Sequence, residues 1–63
     1  MKAAMVRPGD VVSEGDRDAV VVTGPHRSSR APGKVNFLVR ARDGRCFSAT
    51  VVDTDDLNVT RPV

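Results

Sequence analysis

The chain contains no tryptophan, no tyrosine and no isoleucine, and only two phenylalanines, Phe37 and Phe47. Grooves for proline-rich peptides and cages for methylated ammonium groups are lined with aromatic side chains. Two phenylalanines, both expected to face the core, build neither. There is one cysteine, Cys46, and one histidine, His26. A lone cysteine forms no internal disulfide, and one Cys with one His falls short of the four ligands of a structural zinc site. No stretch approaches the roughly 20 apolar residues of a membrane helix. Residues 1–10 hold no apolar signal core. The expectation is a chain without metal, cofactor or small-molecule substrate, away from membranes, in the reducing cytoplasm.

What is present is valine and arginine. There are 12 Val against two Leu, and eight Arg against two Lys. This bias fits a GC-rich genome, that of a bacterium or of a phage within its host cytoplasm. Physically, β-branched side chains favour pleated strands. The 63 residues give room for one domain, residues 1–63. A chain this short buries only about 60% of its unfolded surface. With no disulfide or metal to add, self-association becomes an expectation.

The net charge of +2 is unevenly spread. Residues 1–25 carry −1, residues 26–45 carry +5 and residues 46–63 carry −2. The basic block comprises Arg27, Arg30, Lys34, Arg40, Arg42 and Arg45. It is either ordinary solvated surface or a contact for phosphate, nucleic acid or an acidic partner.

Turn residues divide the chain into short strands. Arg7-Pro8-Gly9-Asp10 is a turn, followed by a first strand at Val11-Val12. Ser13–Asp16 breaks it, and Ala19–Thr23 reads as a second strand, central because it is apolar on both faces. Gly24-Pro25 is expected to end that strand and begin a long basic loop over 24–34. Val35–Ala41 and Cys46–Val52 are strands joined around Asp43-Gly44, a strong hairpin signal.

The hairpin turn decides which side chains face the core. A two-residue loop sets Arg42 opposite Arg45 and leaves the face of Val35, Phe37 and Val39 half polar. A three-residue loop over Arg42-Asp43-Gly44 shifts the register by one. Val35, Phe37, Val39 and Ala41 then share a face with Phe47, Ala49 and Val51. Asn36, Leu38, Arg40, Cys46, Ser48 and Thr50 take the other. The apolar pattern selects the three-residue loop. Beyond it, Asp53 is placed to cap a single helical turn over Thr54–Asp56. Leu57–Thr60 is a last strand with Leu57 and Val59 inward, and Arg61-Pro62-Val63 is a tail.

Five strands, a long loop after the second, a tight hairpin and a helical turn before the last resemble the SH3-like small barrel. Gly9-Asp10-Val11-Val12, then Gly24, then Gly33-Lys34-Val35 look like a loosely spaced KOW-type module. The resemblance implies a small all-β, five-stranded SH3-like barrel. It implies little about function, because such barrels serve many unrelated ones.

No catalytic constellation is legible. His26 has no nucleophile or carboxylate fixed near it, and Cys46 has no positioned base. Asp53, Asp55 and Asp56 lack the ordered oxygens and distal Glu of a calcium loop. Gly33-Lys34 is followed by Val35 rather than Ser or Thr, so a phosphate-binding loop fails. Asn58-Val59-Thr60 is a chance glycosylation match. The expectation is not an enzyme but an interaction module, bound to a protein partner or to itself. Its contact surface is Asn36, Leu38, Arg40, Ser48 and Thr50, together with the 24–34 loop. The alternative is a nucleic-acid-binding accessory protein using Arg27, Arg30, Lys34, Arg40, Arg42 and Arg45. Missing aromatics disfavour base stacking there, which leaves backbone contact.

Overall fold

A computed structural model describes residues 1–61. Five antiparallel strands form one sheet: β1 (Val11–Glu14), β2 (Arg17–Arg27), β3 (Lys34–Ala41), β4 (Cys46–Val52) and β5 (Asn58–Thr60). The spatial order is β4-β3-β2-β1-β5. The expected all-β, five-stranded character is present. The expected barrel closure is not: β4 and β5 are the sheet's edges, and among the described residues no ladder joins them. β5 is three residues long, and its ladder is with β1, at the opposite edge of the sheet from β4.

The hairpin register follows the apolar pattern. The Ala41 N–H donates to the Arg45 carbonyl at 2.8 Å, and the Gly44 N–H donates to the Ala41 carbonyl at 2.9 Å. Gly44 has φ +91°, the left-handed conformation a three-residue loop asks of its last position. Val39 faces Phe47, Phe37 faces Ala49 and Val35 faces Val51. Val35, Phe37 and Val39 are buried as expected.

β2 departs from the sequence reading. It does not stop at Gly24-Pro25 but continues to Arg27, so the connection to β3 shortens to residues 28–33. Its ladder with β3 shifts register between Val21 and Thr23 and again between Thr23 and His26. Those irregularities accommodate a proline that has no N–H to donate. His26 therefore lies on a strand opposite Asn36 rather than in a loop. β2 is central in order but open on one side: Val21 is buried and Val20 is exposed.

The helical turn is also elsewhere. Residues 53–54 form a plain turn, with the Asp55 N–H donating to the Val52 carbonyl at 3.0 Å. The short 3₁₀ turn is Ala3–Met5. It lies against the 53–57 connection: the Ala3 N–H donates to the Asp55 carbonyl and the Ala4 N–H to the Asp53 carbonyl. With those carbonyls satisfied by residues 3 and 4, no helical turn is required there. Ala3 and Val6 complete the core with Val21, Val35, Phe37 and Val39, and Leu57 and Val59 pack against it.

Asp10 is the one buried charged residue among those described. Arg61 holds it with Nε to Oδ1 at 3.1 Å and Nη2 to Oδ2 at 3.2 Å, and the Arg7 N–H donates to Oδ2 at 2.9 Å. Arg61 thus ties the end of β5 to the start of β1; Pro62 and Val63 of the expected tail lie outside the described residues. The Arg61 guanidinium, then the Arg7 N–H, hold the Asp10 carboxyl below the ordinary carboxylate range. A lowered folded pKa contributes stability above the unfolded value of about 4 and loses it as pH falls through the folded one. Asp10→Asn is expected to flatten the acid-side decline of the urea midpoint. An unchanged decline contradicts the assignment.

Candidate interaction surface

The expected contact residues do share one face. In the β3–β4 ladder Asn36 lies opposite Thr50, Leu38 opposite Ser48, and Arg40 opposite Cys46. Arg40, Ser48 and Thr50 are exposed, while Asn36 and Leu38 are half-buried. Thr50 Oγ1 donates to Asn36 Oδ1 at 2.6 Å, which fixes the polar end of the face. Val20, beside Arg40 on β2, adds an exposed apolar neighbour.

The opposite face holds what the sequence did not reveal. Phe47 points to the core side, yet 49% of it is exposed. Both phenylalanines face the core side as expected, but only Phe37 is buried there. The reason is position: β4 is an edge, and among the described residues no strand continues the sheet over its inner face. An open groove of about 620 Å³ results. Val12, Phe37, Val39, Phe47, Val51 and Leu57 give it apolar walls. Charges at the tips of the two hairpins, among them Asp16, Arg17 and Arg42, rim it.

The basic residues do not converge. Arg30 in the loop and Lys34 at the first position of β3 lie at one end of that strand, and Arg42 and Arg45 lie beyond the other. The length of β3 puts roughly 23 Å between those ends. Carboxylates also answer half of the block: Arg27 with Asp53 at 3.4 Å, Arg42 with Asp18 at 3.4 Å and Arg45 with Asp43 at 3.6 Å. The loop and turn residues therefore do not join in a single patch.

Potential reactive groups are scattered. Cys46 is a free, exposed thiol on the outer face, as expected. His26 pairs with Asn36 and Cys46 with Arg40, four residues further along β3, so roughly 13 Å of strand separates them. Asp53 serves Arg27, and Asp56 serves Lys2 at 3.3 Å. Among the described residues no cluster of three or more His, Cys, Asp or Glu is placed to hold a metal ion. No described helix is long and apolar enough to cross a membrane. No protein-family model, curated protein or solved structure matches the chain.

Proposed function

We propose that the protein is a non-catalytic interaction module whose contact element is the β3–β4 hairpin, bound to a protein partner or to a second copy. The observation that carries this reading is the state of β4. It is an edge strand of seven residues without a charge, and five of them, Cys46, Phe47, Ser48, Thr50 and Val52, are exposed. Proteins ordinarily blunt such an edge with charge, proline, a bulge or a covering element. Asn36, Leu38, Arg40, Ser48 and Thr50 form its outer contact surface, and a mixed apolar and arginine face suits an interface. The SH3-like architecture belongs to the same proposal. A β2 that pairs with β1 through residues 17–20 and with β3 through residues 19–27 supports it, because such a strand bends between two ladders.

Photo-cross-linking in the expressing cell tests the reading. A photoreactive residue at Leu38 or Phe47 is expected to yield protein adducts, and one at Asn58 on β5 is not. Adducts confined to position 58, or to nucleic acid, contradict it. Because the basic residues are divided between two ends and partly neutralised, no binding of a random DNA duplex is expected at physiological ionic strength. Binding that falls steeply with added salt and is lost in an Arg30→Ala, Lys34→Ala, Arg40→Ala variant would restore the nucleic-acid reading.

A further inference from the structure

We infer that the occupant of the β4 edge is a second copy of this chain, paired antiparallel through β4 about a two-fold axis at Ala49; this rests on the interaction reading above. The backbone sets the geometry. The Ala41 N–H donates to the Arg45 carbonyl, and the Asp53 N–H donates to the Gly33 carbonyl, both at 2.8 Å. These two bonds mark the ends of an alternating ladder, so residues 45, 47, 49, 51 and 53 turn their polar backbone groups toward β3. Cys46, Ser48, Thr50 and Val52 turn theirs outward, where β4 has no strand neighbour among the described residues.

A second β4 can use those groups only in registers that pair 46, 48, 50 and 52 among themselves. Centring on Ala49 uses all four. Ser48 then faces Thr50 of the other copy, and Cys46 faces Val52, each as a hydrogen-bonded pair. The Ser48–Thr50 pairs form the firm centre, because the Val52 carbonyl already accepts from Asp55.

Side chains agree with this register. On the inner face Phe47 comes to lie across from Val51 of the other copy, so the half-exposed ring gains an apolar neighbour. One pair further out, Arg45 faces Asp53 of the other copy at both ends of the ladder. Opposite charges there favour the pairing, whereas a shift by two residues sets Asp53 opposite Asp43 in one direction and opposite Phe47 in the other. Nothing within Cys46–Val52 is charged, so no like charges meet. The other edge offers no comparable site: β5 is three residues long.

The purified chain is expected to be a dimer whose mass falls to the monomer's on dilution and is indifferent to DNA. Ser48→Pro removes an outward N–H without touching the β3 ladder, and an edge strand tolerates proline at such a site. It is expected to weaken association roughly ten- to hundredfold. The register is tested by Ala49→Cys in a Cys46→Ala background. Directly opposed Ala49 residues form a non-hydrogen-bonded pair about 4.5 Å apart at Cα, within disulfide range. Mild oxidation with oxidised glutathione is expected to give a covalent dimer. Wild-type Cys46, roughly 20 Å from its counterpart, is expected to give none. A chain that stays monomeric into the millimolar range overturns the pairing. So does a dimer that Ala49→Cys fails to cross-link, even if Ser48→Pro does not fold. Should the chain be monomeric while the hairpin still cross-links to another protein in the cell, the second-copy inference falls and the broader reading stands.

Discussion

Gly24→Ala is expected to unfold the protein or bring it to the edge of unfolding. Gly24 sits in β2 with φ +118°. A Cβ added there meets the Asn36 backbone oxygen at 2.9 Å, Phe37 Cδ1 at 3.0 Å and Phe37 Cα at 3.2 Å. Two of those atoms belong to the β3 backbone, which cannot swing aside as a side chain can. Backbone strain at such a φ costs about 1–3 kcal/mol, and overpacking adds about 1–3 kcal/mol. A chain of 63 residues has only about 3–9 kcal/mol in total at the usual 0.05–0.15 kcal/mol per residue. Gly44→Ala is the control: its φ is +91°, but nothing lies within 4 Å of the added Cβ. It bears the strain alone. Urea denaturation of the two variants is expected to rank Gly24→Ala far below Gly44→Ala. Equal midpoints would contradict the close approach of β2 to β3.

The second large effect is Phe37→Ala, expected to cost about 3–5 kcal/mol by lost burial and the cavity it leaves. Phe37 is 4% exposed, at the centre of the core with Val21, Val35 and Val39. Phe47→Ala is expected to cost no more than about 2 kcal/mol in the monomer, because half of the ring already meets water. Thermal melts separate the two. If Phe47→Ala proved as damaging as Phe37→Ala in dilute protein, the groove would have to be closed rather than open.

The contrast between those two rings shows what local sequence carries. Alternation of apolar and polar residues places both on one face, and it also selects the hairpin loop, because a slip by one residue turns every side chain over. Whether a face is covered depends on which strand lies at the edge, and no residue near Phe47 records that. Gly24-Pro25 has the composition of a strand end, yet its register shifts absorb the proline and let β2 run on. Ala3 and Val6 sit in a segment too short for any period to show, although they are among the most buried residues. Arg61 lies 51 positions from Asp10, and their pairing follows from β5 lying beside β1. That Asn36, Leu38, Arg40, Ser48 and Thr50 share one face was legible because they are the other half of the same alternation. The basic block is continuous in sequence, but the length of β3 separates its parts in space.

Amide hydrogen exchange read residue by residue at two protein concentrations tests the central claim most directly. In dilute protein Phe47, Ala49 and Val51 are expected to be protected by β3, with Ser48 and Thr50 exchanging freely. In concentrated protein Ser48 and Thr50 are expected to become protected while the β5 edge at Asn58–Thr60 does not change. If Ser48 and Thr50 exchange equally fast at both concentrations, and remain fast in an extract of the expressing cell, the β4 edge is not the contact and the account is wrong.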